Sequence, residues 1–167
     1  MTGFSREDRV ARAILLARAF GFVRESGPPG KRMNRGAWVE AIQRITGNRP
    51  GDPWCASFIV AVLTLADATG DCPIVASASC DAILNDAAKR GLIVDKDEPP
   101  RAGDLYLVMK TPTDAIHVGL VTSYSAESRA FSEISGNTNE GGSREGYGVF
   151  ERVREWPGKY VFVRWAE

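Results

Sequence analysis

The pattern of apolar residues in this sequence changes near Gly103, and that change restricts the fold more than any other feature. Before Gly103, apolar residues recur at the three- and four-residue spacing of helices; after it, short segments rich in Val, Ile, Tyr and Phe alternate with polar residues. The first pattern predicts helices over about residues 6–24, 36–46, 54–68 and 79–90. The second predicts strands over about residues 104–109, 116–123, 129–135, 148–154 and 160–165. Helices followed by strands with short links predict an α+β fold with an antiparallel sheet of about five strands.

Residues at the predicted helix ends support these assignments. Ser5 followed by Asp8 is typical of a capping box at the start of the first helix. Asp52 is a favourable N-cap for the third helix, and Pro53 suits a first helical position, which makes Cys55 the third helical residue. The third helix is apolar nearly all round, so we expect it to lie buried at the centre of the fold, packed on the sheet. In the second helix the spacing predicts an inward face made of Trp38, Ala41, Ile42 and Ile45.

Length and charge exclude several classes of protein. At roughly 150 residues per domain, the 167 residues predict a single domain over residues 1–167. Lys and Arg together number 21, and so do Asp and Glu, so the chain has no global positive field to hold nucleic acid or an anionic membrane. No segment reaches the roughly 20 apolar residues that a membrane-spanning helix needs, and we expect no secretory signal at the N-terminus. We expect synthesis in the cytoplasm, no nucleic-acid partner and no membrane insertion.

Cys55 is the first candidate for chemistry, because it lies at the start of the predicted central helix. Unpaired backbone N–H groups and the positive end of the helix dipole meet at such a position, and both favour a thiolate over a thiol. The same N–H groups could receive a developing oxyanion. The alternative is that Cys55 only fills space beside Trp54.

His117 is the only histidine in the sequence, so any chemistry that pairs a cysteine with an imidazole must use it. It lies on an alternating strand and shares one face with Gly119, which leaves room beside the ring. On the next predicted strand, Glu133, Ser135 and Asn137 share a face if the strand is regular, and any of them could hold a ring nitrogen of His117. A hydrogen-bonded structural histidine and an ordinary turn at residues 136–139 are the alternatives.

The remaining cysteines and acidic residues give weaker signals. Cys72 and Cys80 are spaced so that a disulfide is sterically allowed, but two small buried hydrophobic residues are favoured. Zinc is disfavoured because one histidine and three scattered cysteines lack paired ligand spacing, and the acidic residues at 95, 97 and 98 do not match a calcium-binding loop. With no nucleotide-binding glycine loop in the sequence either, we expect neither a metal nor an organic cofactor.

Several short blocks, taken in order, resemble the CHAP family of cysteine- and histidine-dependent amidohydrolases and peptidases, within the NlpC/P60 and papain-like group. The likeness extends from about residue 24 to residue 165. Its clearest blocks are Gly-Asp-Pro-Trp-Cys-Ala-Ser-Phe-Ile at 51–59, Pro-Arg-Ala-Gly-Asp-Leu-Tyr-Leu-Val at 100–108, His-Val-Gly-Leu-Val at 117–121 and Ser-Gly-Asn-Thr-Asn at 135–139. Asn-Arg-Gly at 34–36 and Gly-Tyr-Gly-Val at 146–149 fit the family more loosely.

The resemblance implies a papain-like fold and hydrolysis of peptidoglycan, at either the muramoyl–L-alanine amide or a peptide bond of the stem or cross-bridge. It implies that Cys55 is the nucleophile, that His117 activates it, and that a polar residue on the following strand orients the imidazole. Many relatives have Glu-Gly-Asn where this chain has Ser135, Gly136 and Asn137. Asn137 is therefore the first choice for the orienting residue, with Glu133 as the second.

The resemblance also implies a setting. A catalytic domain of this kind suits a phage lysin that is released through a pore, or an antibacterial effector that would have an immunity or inhibitor protein. Either would act at the cell wall or in the periplasm, and we expect a monomer. Two alternatives stay open: a papain-like protease or amidase acting on other substrates, and a catalytically silent domain that binds wall fragments or a partner protein.

Overall fold

The structure is a computed structural model that describes residues 4–27, 33–67, 69–141 and 146–166. These residues form four α-helices, one short 3-10 helix and five strands. The α-helices are α1 (Arg6–Ala19), α2 (Ala37–Ile45), α3 (Cys55–Ala66) and α4 (Cys80–Lys89), and the 3-10 helix, Phe20–Phe22, follows α1. The strands are β1 (Leu105–Thr111), β2 (Asp114–Ser125), β3 (Ala130–Thr138), β4 (Gly148–Glu155) and β5 (Tyr160–Val163). The α+β class and the order of helices before strands are confirmed.

The five strands form one antiparallel sheet in the order β4-β3-β2-β1-β5. Leu105 lies opposite Leu120 and Val163, and all three side chains pack into the core beneath the helices. Tyr106 lies opposite Gly119 and Phe162 and therefore points to the other side of the sheet. We call the first side the helix face and the second the outer face.

Helix α3 fills the centre of the molecule, as its apolar sequence predicts. Ten of its twelve residues are buried, and it contacts α1, α2, β2 and β3. Each fully buried Phe, Ile, Leu or Val side chain contributes about 1.5–3 kcal/mol to folding. The predicted end of this helix at residue 68 lies outside the described residues. Within them the helix ends at Ala66.

The caps of two helices follow from the sequence. Ser5 Oγ accepts a hydrogen bond from the Asp8 backbone N–H at the start of α1, as predicted. The α-helix ends earlier than residue 24, because the chain tightens into the 3-10 helix after Ala19. At α4, Ser79 Oγ accepts from the Ala82 N–H, which makes Cys80 the first helical residue.

The predicted inward face of α2 is wrong for three of its four residues. Trp38, Ala41 and Ile45 are exposed, and only Ile42 is buried, together with Val39 and Gln43. The cause is the fully buried amide of Gln43, which donates hydrogen bonds to the backbone carbonyls of residues 34 and 52. Those bonds hold α2 with Gln43 inward, so its most apolar side chains face outward.

The start of α3 also differs from the prediction. Trp54 is the N-cap and Cys55 is the first helical residue, not the third. Asp52 and Pro53 precede the helix because their carbonyls are bound by the side chains of Gln43 and Asn48. The first backbone bond of the helix runs from the Phe58 N–H to the Trp54 carbonyl, which leaves the N–H groups of the first turn without an intrahelical acceptor.

No helix among the described residues has the length and apolar character needed to span a membrane.

Candidate active site

The Cys55 side chain lies at the start of the central helix, beside polar groups from two other elements, α4 and β2. Its sulfur lies 3.7 Å from the Cys80 sulfur at the start of α4. On β2, the His117 imidazole and the Val118 backbone N–H lie near enough to the same sulfur to lower the pKa of Cys55. Only 6% of Cys55 is exposed, so these interactions act in a poorly hydrated environment, where they are strong.

The pKa of Cys55 is held well below that of an ordinary thiol. The largest cause is the hydrogen bond with Cys80; the imidazole of His117 and the N–H of Val118 lower the pKa further, and burial opposes them. The position of Cys55 at the first residue of α3 adds the positive end of that helix. The arrangement therefore favours a thiolate, which is the nucleophilic form of cysteine.

Cys80 shows the opposite behaviour. The pKa of its thiol is raised, first by the charge-bearing Cys55 partner, then by burial and by the carboxylate of Asp81. Its sulfur therefore keeps its proton where Cys55 loses one. Cys55, Cys72 and Cys80 are all free thiols, so a Cys72–Cys80 disulfide does not form. Burial raises the pKa of the half-buried Cys72 thiol as well.

His117 is almost completely buried on β2, opposite Val108 of β1. Its ring centroid lies 6.3 Å from that of Tyr106, which also packs against Gly119. The space that glycine leaves beside the histidine is thus filled by an aromatic ring. Neither ring nitrogen forms a hydrogen bond of standard geometry with a described residue. Catalytic hydrogen bonds are often loose before substrate binds, so this geometry is compatible with a proton-transfer role.

Asn137 occupies an irregular part of β3. Its backbone has a φ of 57°, and the ladder between β3 and β4 shifts between Ser135 and Thr138, so regular alternation ends before Asn137. The side chain is buried, and neither its oxygen nor its nitrogen is bonded to a described residue. Leu120 pairs with Ile134, and continuing that antiparallel register brings Asn137 level with His117. The register supports Asn137 as the orienting residue, although no described contact joins the two side chains.

Glu133 is committed to two arginines. Its carboxylate is fully buried and accepts hydrogen bonds from Arg152 at 2.5 Å and Arg154 at 2.9 Å. Arg154 also donates to the Tyr106 hydroxyl, which in turn donates to Ser135 Oγ. Glu133 therefore belongs to a network beside the Tyr106 ring, which lies next to His117. Among the described residues, no contact joins Glu133 to the imidazole as predicted.

Sequence reasoning missed Cys80, Tyr106 and the two arginines. Arg152 and Arg154 are two residues apart on a strand, and so share a face, which is a signal that could have predicted a partner for Glu133. Ser79 gave a signal for the start of α4. The first residues of α3 and α4 lie next to each other only because of tertiary packing, so local sequence could not predict that contact.

No protein-family model matches this chain, and no curated protein matches it either. The likeness to CHAP enzymes therefore depends on the motifs around the residues described above.

Proposed function

We propose that this protein is a cysteine amidohydrolase or peptidase that cleaves an amide bond of peptidoglycan, with Cys55 as nucleophile and His117 as acid and base. One observation carries the proposal: Cys55 is the first residue of a buried helix, and the only imidazole of the chain helps to lower the pKa of its thiol. Lowered thiol pKa values beside an imidazole at a helix start are typical of catalytic cysteines.

The chemistry follows in two steps. The Cys55 thiolate attacks the amide carbon, and the free N–H groups of the first turn of α3 stabilise the oxyanion that forms. His117, which holds the proton that Cys55 has lost, gives it to the leaving amine as the C–N bond breaks, which produces a thioester. His117 then removes a proton from water, and the hydroxide attacks the thioester and releases the acid and the thiolate. Asn137 would hold the imidazole in the orientation that these transfers need.

The fold supports a papain-like assignment. A buried helix that begins with the nucleophile packs on an antiparallel sheet, and an adjacent strand contributes the histidine. The substrate class is supported by the sequence blocks that resemble CHAP enzymes, which surround Cys55, His117 and Asn137. The setting that this function implies is a phage lysin or an antibacterial effector acting on the wall, the effector with an inhibitor protein as partner.

The test is digestion of purified peptidoglycan, with the soluble products identified by mass spectrometry. Cys55→Ala should lower product release by at least about 10³-fold, because the nucleophile is lost. Cys72→Ala is the matched control: its thiol is half-buried with a raised pKa, so the variant should digest the wall as the wild type does. Thermal unfolding of both variants shows whether the fold persists.

Three results would contradict the proposal. Wall digestion by Cys55→Ala at nearly the wild-type rate would show that Cys55 is not the nucleophile. Cleavage of casein or small amides without cleavage of muropeptides would favour a protease or amidase with another substrate. Binding of wall fragments without any cleavage would favour a silent binding domain.

A further inference from the structure

We propose that Cys80 is a positioning residue for the nucleophile: its thiol donates a hydrogen bond to the Cys55 sulfur and keeps that sulfur anionic. This inference deepens the proposed function, because it concerns the same sulfur, but it can be tested on the thiol alone. The two sulfur atoms are 3.7 Å apart, within hydrogen-bond distance for sulfur, and both residues are more than nine-tenths buried.

The structure fixes Cys80 in this place from two sides. Ser79 caps α4 and sets Cys80 as its first residue. The next residue, Asp81, accepts a hydrogen bond of 2.7 Å from the Ala115 backbone N–H on β2. Ala115 is two residues before His117 on the same strand. The start of α4 is thus tied to the strand that carries the imidazole, and Cys80 cannot move away from Cys55 without breaking that bond.

The charges around the pair decide which sulfur keeps the proton. Cys55 faces His117 and the Val118 N–H from β2, and both stabilise negative charge. Cys80 faces the Asp81 carboxylate from its own helix, which destabilises negative charge on it. The proton therefore resides on Cys80, and the opposite pKa shifts of the two thiols agree with that assignment. A hydrogen bond to an ionised group changes its ionisation constant by roughly 10–100-fold.

The experiment measures the ionisation of Cys55 directly. Thiolate ultraviolet absorbance and the rate of iodoacetamide labelling are followed against pH in a Cys72→Ala background. Labelling sites are assigned by mass spectrometry. Cys80→Ala should move the midpoint of Cys55 ionisation to higher pH and slow labelling by about 10–100-fold below that midpoint. Cys80→Ser keeps a donor in the same place and should restore a midpoint close to the wild-type value.

The serine variant separates donation from packing. An equal shift in Cys80→Ala and Cys80→Ser would mean that the sulfur only fills space, and would overturn the proposal. So would an unchanged midpoint in Cys80→Ala, or an ordinary thiol midpoint for Cys55 in the wild type. If Cys80→Ala fails to fold, Cys80→Val replaces it, since valine fills the space without a donor.

This test is independent of the substrate. A Cys55 midpoint that depends on Cys80 in a protein that leaves peptidoglycan intact would support the role of Cys80 and contradict the proposed function. Digestion of peptidoglycan by a protein whose Cys55 ionisation midpoint does not depend on Cys80 would support the proposed function and contradict the role of Cys80.

Discussion

The two faces of the sheet are built by different means. The helix face is apolar: Leu105, Val118, Leu120 and Ile134 pack against α3 and its neighbours. The outer face combines a cluster of aromatic side chains with a buried ion network. The aromatic rings are those of Tyr106, Phe131, Tyr160 and Phe162, and the network joins Glu133 to Arg152 and Arg154.

The molecule contains two kinds of buried polar side chain: one that is bound by groups of opposite charge, and one that has no hydrogen-bond partner among the described residues. On the outer face, two guanidinium groups bind Oε1 of Glu133 and compensate its charge, although its Oε2 has no partner among the described residues. At the candidate site, the ring nitrogens of His117 and the amide of Asn137 are equally buried but have no standard hydrogen bond among the described residues. Most buried polar groups in native proteins are bonded, and the exceptions need an explanation. His117 and Asn137 lie where the proposed proton transfers occur. Other unpaired buried atoms, such as Glu133 Oε2 and Gln43 Oε1, belong to side chains that are held by their other polar atom.

The largest effect is expected from removing the central charge of the outer face. Glu133→Gln leaves two largely but not fully buried guanidinium groups without a counter-charge and should lower the free energy of unfolding by about 3–5 kcal/mol. Urea unfolding measures the loss. Glu140→Gln is the control, because that carboxylate lies on the surface and its loss should leave stability almost unchanged.

A triple variant sharpens this prediction. Glu133→Leu combined with Arg152→Met and Arg154→Met replaces the whole network by apolar groups and should recover most of the lost stability, because no charge is left unpaired. A Glu133→Gln protein as stable as the wild type would show that the outer face does not depend on its ion network.

A smaller effect is expected on the helix face, where β3 and α3 approach closely. A Cβ on Gly136 would lie 2.6 Å from Trp54 Cζ3 and 2.9 Å from Phe58 Cβ. Gly136→Ala should therefore lower the free energy of unfolding by about 1–3 kcal/mol. It should also slow labelling of Cys55, because Trp54 directly precedes the nucleophile.

Gly21→Ala is the matched control for Gly136→Ala, since a Cβ at Gly21 meets no atom within 4 Å. It should unfold at the same urea concentration as the wild type or slightly higher. If both glycine variants unfold at the same urea concentration, the close approach of β3 to α3 does not require a glycine at residue 136.

The smallest effect belongs to the ion pair at the rim of the helix face. Arg18 on α1 binds Glu151 on β4 at 2.8 Å, and this bond lowers the pKa of the Glu151 carboxyl. Since the folded pKa is lowered, the pair stabilises the protein above the ordinary carboxyl pKa, and the benefit is lost as pH falls through the folded value. Arg18→Ala should cost at most about 1 kcal/mol at neutral pH, because the pair is half exposed. Unfolding measured against pH should show this difference vanish in acid; a constant difference would contradict the ion-pair explanation.

The sequence predicted the fold class and the order of the elements because apolar periodicity and caps such as Ser5 are local signals. It did not predict the orientation of α2, since the bonds of Gln43 to distant carbonyls outweigh the apolar spacing of Trp38 and Ile45. It identified Cys55 and His117 as candidates from position and rarity. It did not predict the contact between Cys55 and Cys80, because that contact joins two helices that only the tertiary fold brings together.

The order of the strands places β4 and β5 at the two edges of the sheet, and each edge resists pairing with another chain in its own way. Strand β5 has only four residues, and residue 93 forms a β-bridge to it. Strand β4 carries four charged residues among eight, and Arg24 forms a bridge to its first residue. Short or charged edges discourage the growth of a sheet from one molecule into the next. Addition of a strand from a second molecule is therefore disfavoured at both edges of the sheet.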